Sequence, residues 1–199
     1  MKKSYKLWSQ ILILLSMLVC NVAISATITR DILFQNPDFN IVLPKNSQLD
    51  NKKDYSKLDI NEGNISFTQY NYTMPSGIAK SPPVPLVINV MSLTDSFKDK
   101  FKTVAGQREF LADFVNSQQS SIGIPVSKIN DIYTHAYETN LNDKIFQTSS
   151  MTFKHAILTW YMYVSQNKLY TIFMLSPLDK QSLINEEVNK RILQSMEMK

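Results

Sequence analysis

Two histidines, His135 and His155, are the only imidazoles in the chain that could serve as a general base or a metal ligand. A metal centre would need both, together with a carboxylate such as Asp131 or Glu138, and neither histidine stands in a His-x-x-x-His or comparable ligand spacing. A serine nucleophile fares no better. Ser120-Ser121 and Ser149-Ser150 have no base at a fixed offset, and no Gly-x-Ser-x-Gly elbow occurs. A hydrolase whose site is assembled only in the fold around His135 and His155 remains one alternative. The four glycines, Gly63, Gly77, Gly106 and Gly123, make no phosphate cradle, and no cofactor is expected.

Two other patterns suit binding rather than catalysis. Tyr70 and Tyr72, Tyr133 and Tyr137, and Tyr161 and Tyr163 occupy alternate positions that put each set on one strand face. A tyrosine ring is flat and apolar with a polar tip, which fits a half-wet protein or glycan surface and equally fits the rim of a core. The second pattern is the run Ser81-Pro82-Pro83-Val84-Pro85, which is preset toward extended geometry and so lowers the ordering cost of an encounter. Its plainer role is to stiffen a crossover or protect an edge. Asn64-Ile-Ser66 and Asn71-Tyr-Thr73 match glycosylation sequons but fall inside a strand pattern.

The elements that would position these residues follow from periodicity. A leader, 27–36, precedes a strand at Phe39 to Leu43 that Pro44 ends. The polar stretch 46–61 reads as loop with a short strand near Leu58 and Ile60. Ile65 to Thr73 and Leu86 to Leu93 read as strands flanking the proline loop 74–85. Phe110, Leu111, Phe114, Val115 and Gln118 recur at helix spacing over 107–121. Strands then follow at 129–140, 144–154, 156–165 and 169–175, with short turns that argue antiparallel hairpins. Asp179 is a candidate cap for a terminal helix whose face carries Ile184, Val188, Ile192 and Met196. Strands grouped rather than alternating with helices indicate an α+β domain on a mainly antiparallel sheet.

Phe39-Asn-Ile-Val-Leu-Pro44, the helix around Phe110 to Gln118, and Asn167-Lys-Leu-Tyr-Thr-Ile-Phe-Met-Leu-Ser-Pro177 leading into a last helix resemble the Mog1/PsbP-like family across nearly all of residues 27–199. The resemblance implies an α/β/α sandwich around the antiparallel sheet and a binding or assembly role rather than an enzymatic one. The chain departs from the family after Pro44, which lacks an aromatic-rich turn, and no acidic Ran-binding cluster can be matched.

The first 26 residues carry an address. Lys2, Lys3 and Lys6 precede an apolar run from Ile11 to Val22, and Ile24-Ser25-Ala26 supplies small residues for cleavage after Ala26, the pattern of a secretory signal peptide. Ser9, Gln10, Ser16 and Asn21 interrupt the run against a membrane-anchor reading, since a span wants about 20 mainly apolar residues. Val19 before Cys20 argues against a lipoprotein. Three of the 21 basic residues lie in this segment, which leaves 18 against 17 acidic ones and a net charge near +1 for residues 27–199. That balance gives no basic stripe for nucleic acid. Cys20 is the sole cysteine, so the same segment also removes any disulfide or thiol chemistry. The sequence thus describes a single exported domain, 27–199, periplasmic or extracellular. Its expected role is a non-enzymatic binding or assembly protein in the envelope or in contact with a host, without stable membrane insertion and with a protein or glycan partner.

Overall fold

A computed structural model describes residues 31–60, 63–78, 81–121, 133–153, 155–165 and 167–199. The expected cleavage residue Ala26 and the candidate carboxylate Asp131 lie outside the described residues. Among the described residues of the unit Ile32–Lys199 there are ten strands and three helices. They are β1 (Ile32–Gln35), β2 (Phe39–Leu43), β3 (Gln48–Ile60), β4 (Gly63–Met74) and β5 (Val84–Ser92), then α1 (Asp95–Phe101) and α2 (Val104–Ser121). After these come β6 (Tyr133–Leu141), β7 (Lys144–Thr152), β8 (Ala156–Ser165), β9 (Lys168–Pro177), α3 (Glu186–Ser195) and β10 (Glu197–Met198).

Seven strands pair in the order β3-β4-β5-β9-β8-β7-β6, all antiparallel, and β1-β2-β10 form a separate three-stranded sheet. Tight connections drive the hairpins. Leu141 pairs with Lys144 across a two-residue turn in which Asn142 adopts φ 56°, a left-handed conformation that asparagine tolerates better than most residues.

Strand alternation sorts the seven-stranded sheet into two apolar faces. One carries Phe67, Met91, Met151, Trp160, Met162 and Leu169 and is covered by Phe101 of α1 and by Phe110, Leu111, Phe114 and Val115 of α2. The other carries the tyrosines and is covered by Phe39, Ile41 and Leu43 of β2, by Ile192 and Leu193 of α3, and by Ile184 and Met196 beside that helix.

That second cover overturns the α/β/α sandwich of an α+β domain. The protein is mostly strand, and on the tyrosine face the small sheet lies where a helical layer was expected. The difference has two causes. Ile32 to Gln35, taken as leader, pair with β2 from Ile32 opposite Leu43 to Gln35 opposite Asn40. The polar stretch 46–61, expected to be loop with a short strand near Leu58 and Ile60, forms β3, a 13-residue edge strand paired to β4. An edge strand with Lys52, Lys53 and Asp54 needs no apolar alternation, and its charges guard the free edge against further pairing. Among the described residues no helix is long and apolar enough to cross a membrane.

Candidate functional site

Register places the tyrosines on a single sheet face. Tyr137, Thr148, Tyr161, Ile172, Ile88, Tyr70 and Lys52 succeed one another across the strands in one transverse row. This is the face under β2 and α3, so Tyr70 and Tyr72 are each 1% exposed and Tyr161 is 2% exposed. Burial takes these three rings away from any outer surface. Tyr163 is half-buried and its ring lies 5.2 Å from that of Phe146, and Tyr137 is half-buried as well. The backbones of Tyr133 and His135 run in β6, but their side chains lie outside the described ones.

The phenols end in polar partners instead. Asn36 Nδ2 donates to the Tyr72 hydroxyl at 2.9 Å, and Tyr70 donates to Asp38 Oδ2 at 2.7 Å. Burial pushes the Tyr72 phenol up to about 12, with the Asn36 bond opposing the shift. Burial and the Asp38 carboxylate together hold the Tyr70 phenol far above its ordinary value. Burial likewise raises Tyr161. Asp38 also takes the Lys168 ammonium at 2.9 Å, and its carbonyl accepts from Lys199 N at 2.9 Å and from the Tyr170 hydroxyl at 3.1 Å. Nothing in the sequence singles out Asp38, because its partners lie 32 to 161 positions away and only the fold collects them.

The proline run is placed differently. Pro82 and Pro83 are exposed, and with Pro85, Pro177, Leu175 and Leu178 they wall a groove of about 650 Å³ that also includes His155 and Asp179. Its position follows from backbone chemistry. The β5–β9 ladder runs from Ser92 opposite Lys168 to Leu86 opposite Met174 and stops short of Pro85, which has no N–H to donate. Pro177 likewise ends β9, and the chain turns away there, with Leu178 N donating to His155 O at 2.9 Å. The strands part at the prolines, and the groove opens between them.

One side of this region is fixed by Gly77 at φ 76°. Ser76 O accepts from Leu183 N at 2.8 Å, and a Cβ on Gly77 would sit 2.2 Å from Leu183 Cγ. Leu178 is 48% exposed at the groove, a large apolar side chain left to solvent on a preset surface.

Among the described side chains, His155 and Glu138 do not assemble into a nucleophile–base pair; Asp131 and the His135 side chain lie outside the described ones. His155 shares the groove with Ser76, Ser81 and Asp179, yet among the described residues none of these bonds to its imidazole. Ser76 Oγ donates to Ile78 O and accepts from Ile78 N, both at 3.3 Å, and Asp179 Oδ1 accepts from Gln181 N at 2.8 Å. Glu138 is engaged elsewhere, with Arg108 at 3.4 Å and Gln147 at 3.1 Å, tying α2 to the β6–β7 hairpin. Among the described residues no cluster of three or more His, Cys, Asp or Glu side chains could hold a metal ion. No family model and no curated protein matches the chain.

Proposed function

We propose that this chain is an exported, non-enzymatic binding protein that engages a protein partner through the proline-walled groove. The observation that carries the reading is the convergence of Pro82, Pro83, Pro85 and Pro177 around an exposed Leu178. Proline rings hold their backbone before any partner arrives, so little conformational entropy remains to be lost on docking. The walls are largely apolar and, among the described residues, include no Phe, Tyr or Trp ring on which a sugar could stack, which favours a protein segment with apolar side chains over a glycan. Export rests on the lysine-led apolar segment ending at Ala26.

The test uses cross-linking of the protein in envelope and host-cell extracts, comparing wild type with Leu178→Asp and with Pro82→Ala/Pro83→Ala. Loss of a specific adduct in both variants, with melting temperatures within about 2 °C of wild type, is the expected result. An adduct that survives both variants removes the groove from the interaction. Sequencing the N-terminus of exported protein should give Thr27 as the first residue; an intact Met1 start in the exported fraction would overturn the address.

A further inference from the structure

At the opposite end of β4, β5 and β9 from the proline groove, a second cleft of about 400 Å³ opens between α1 and the β3–β4 hairpin. Its floor is one transverse row, Tyr55 opposite Phe67, Phe67 opposite Met91, and Met91 opposite Leu169. Phe97 and Phe101 of α1 also line it, and Leu93 lies where β5 gives way to the helix. The floor belongs to the helix-side core, with Phe67, Met91 and Leu169 buried. Tyr55 is 36% exposed, and its ring is stacked on Phe67 with centroids 4.7 Å apart and planes 10° from parallel.

The geometry points to a binding site for a small, uncharged, ring-bearing apolar molecule. Two observations define that occupant. The first is the charge of the walls. Among the described lining residues Asp54 is the only carboxylate or cation, and register turns its side chain to the other face of the sheet. There it pairs opposite Thr68 and accepts that hydroxyl at 2.7 Å, while Lys52, two residues earlier, reaches over the Tyr70 ring. The lysines near the helix do not supply a counter-charge: Lys100 is held by Glu109 at 3.7 Å, Lys102, just past the end of α1, is held by Asp99 at 2.6 Å, and neither they nor Lys98 is among the described lining residues. An ionised ligand would find hydroxyl-bearing residues such as Ser66, Ser92 and Thr94 along the cleft but no counter-charge facing it among the described lining residues, whereas an apolar one gains by leaving water.

The second observation is shape. A near-parallel Tyr55–Phe67 stack over a flat strand row suits another flat ring better than a branched chain. The volume falls in the range of small-molecule pockets.

Two dyes with the same ring system separate the possibilities: N-phenyl-1-naphthylamine, which is neutral, and 8-anilino-1-naphthalenesulfonate, which carries a sulfonate. Titrated into the purified protein, the neutral dye should bind saturably at one site and about tenfold more tightly than the sulfonate. Tyr55→Ala should weaken the neutral dye by about tenfold. Leu178→Asp, in the other groove, should leave it unchanged. Equal or tighter binding of the sulfonate, the absence of saturation, or indifference to Tyr55→Ala would each overturn the site. If Tyr55→Ala does not fold, Leu93→Trp decides, because it fills the mouth with apolar bulk and should exclude the dye. Leu178→Asp separates the two clefts, so failure of one leaves the other standing.

Discussion

Asp38 sits in the turn between β1 and β2 and joins three parts of the chain that no local interaction would bring together. Its carboxylate takes Tyr70 from β4 and Lys168 from β9, and its carbonyl holds the backbone of Lys199. Burial would raise its pKa, but the hydrogen bonds from Tyr70 and Lys168 and the lysine's charge outweigh burial and leave it below the ordinary carboxylate value. Between the two values the unfolded chain holds a proton that the folded chain does not, so stability rises with pH across that window. The contribution is therefore complete above the ordinary carboxylate range, about pH 4, and is lost as the pH falls through the folded value. Asp38→Ala should cost about 2 kcal/mol at neutral pH, leaving the Tyr70 hydroxyl without its acceptor. The same variant should flatten the acid limb of the stability curve measured by urea unfolding at a series of pH values. Asp38→Asn keeps an acceptor for Tyr70 and loses only the charge facing Lys168, so it should fall between. An acid limb as steep in Asp38→Ala as in wild type would show that other carboxylates carry the acid response.

Among the elements, legibility in the sequence tracked burial. β2, β5 and β7 to β9 bury at least one face, and their apolar patterns sit close to their observed bounds; α2 likewise covers its expected stretch. β3 was hidden because an edge strand can be charged throughout, and β10 because two residues carry no period. The cap of α3 shows a subtler ambiguity. Asp179 and Asn185 both bond a nearby backbone N–H, but Asp179 serves Gln181 in a turn while Asn185 accepts from Val188 and starts the helix. The groove was legible only in parts: Pro82 and Pro83 stood out, whereas their meeting with Pro177 and His155 depends on β9 lying between β5 and β8. The tyrosine pattern was visible too, but periodicity cannot say which face another sheet will cover. The loop after β4 depends on Gly77 for both its left-handed φ and the close approach of Leu183. Gly77→Ala should cost about 1–3 kcal/mol, because the new methyl displaces Leu183 and the backbone is strained whatever the space. In the double variant with Leu183→Ala the contact is relieved but φ is not, so thermal melts should recover part of the loss and leave about 1 kcal/mol. Simple additivity of the two single variants would show that Leu183 does not press on this position.

Within Ile32–Lys199 the seven-stranded sheet carries a core on each side, and that sheet is what the two cores share. β4, β5, β8 and β9 contribute alternate residues to both, as with Tyr70 on one face and Phe67 on the other, or Tyr161 and Trp160. Among the described residues, α1 and α2 close one face, while β2 and α3, with Ile184 and Met196 beside the helix, close the other. Loss of either cover exposes a sheet face made of large apolar side chains, so the two cores should unfold in one transition rather than in sequence. Ile192→Ala removes packing beneath α3, and Phe114→Ala removes packing beneath α2, each at a cost of about 2–5 kcal/mol. In a Trp8→Phe background, Trp160 alone reports fluorescence from the helix-side core, and far-UV circular dichroism reports the whole sheet. Ile192→Ala lies across the sheet from Trp160, yet it should lower the fluorescence midpoint and the dichroism midpoint together, as Phe114→Ala should. Separated midpoints in Ile192→Ala, with Trp160 still packed after the ellipticity begins to fall, would mean that the small sheet and α3 form a unit able to detach. In that case β2 and β10, rather than the groove prolines, would be the part of the chain free to exchange with another strand.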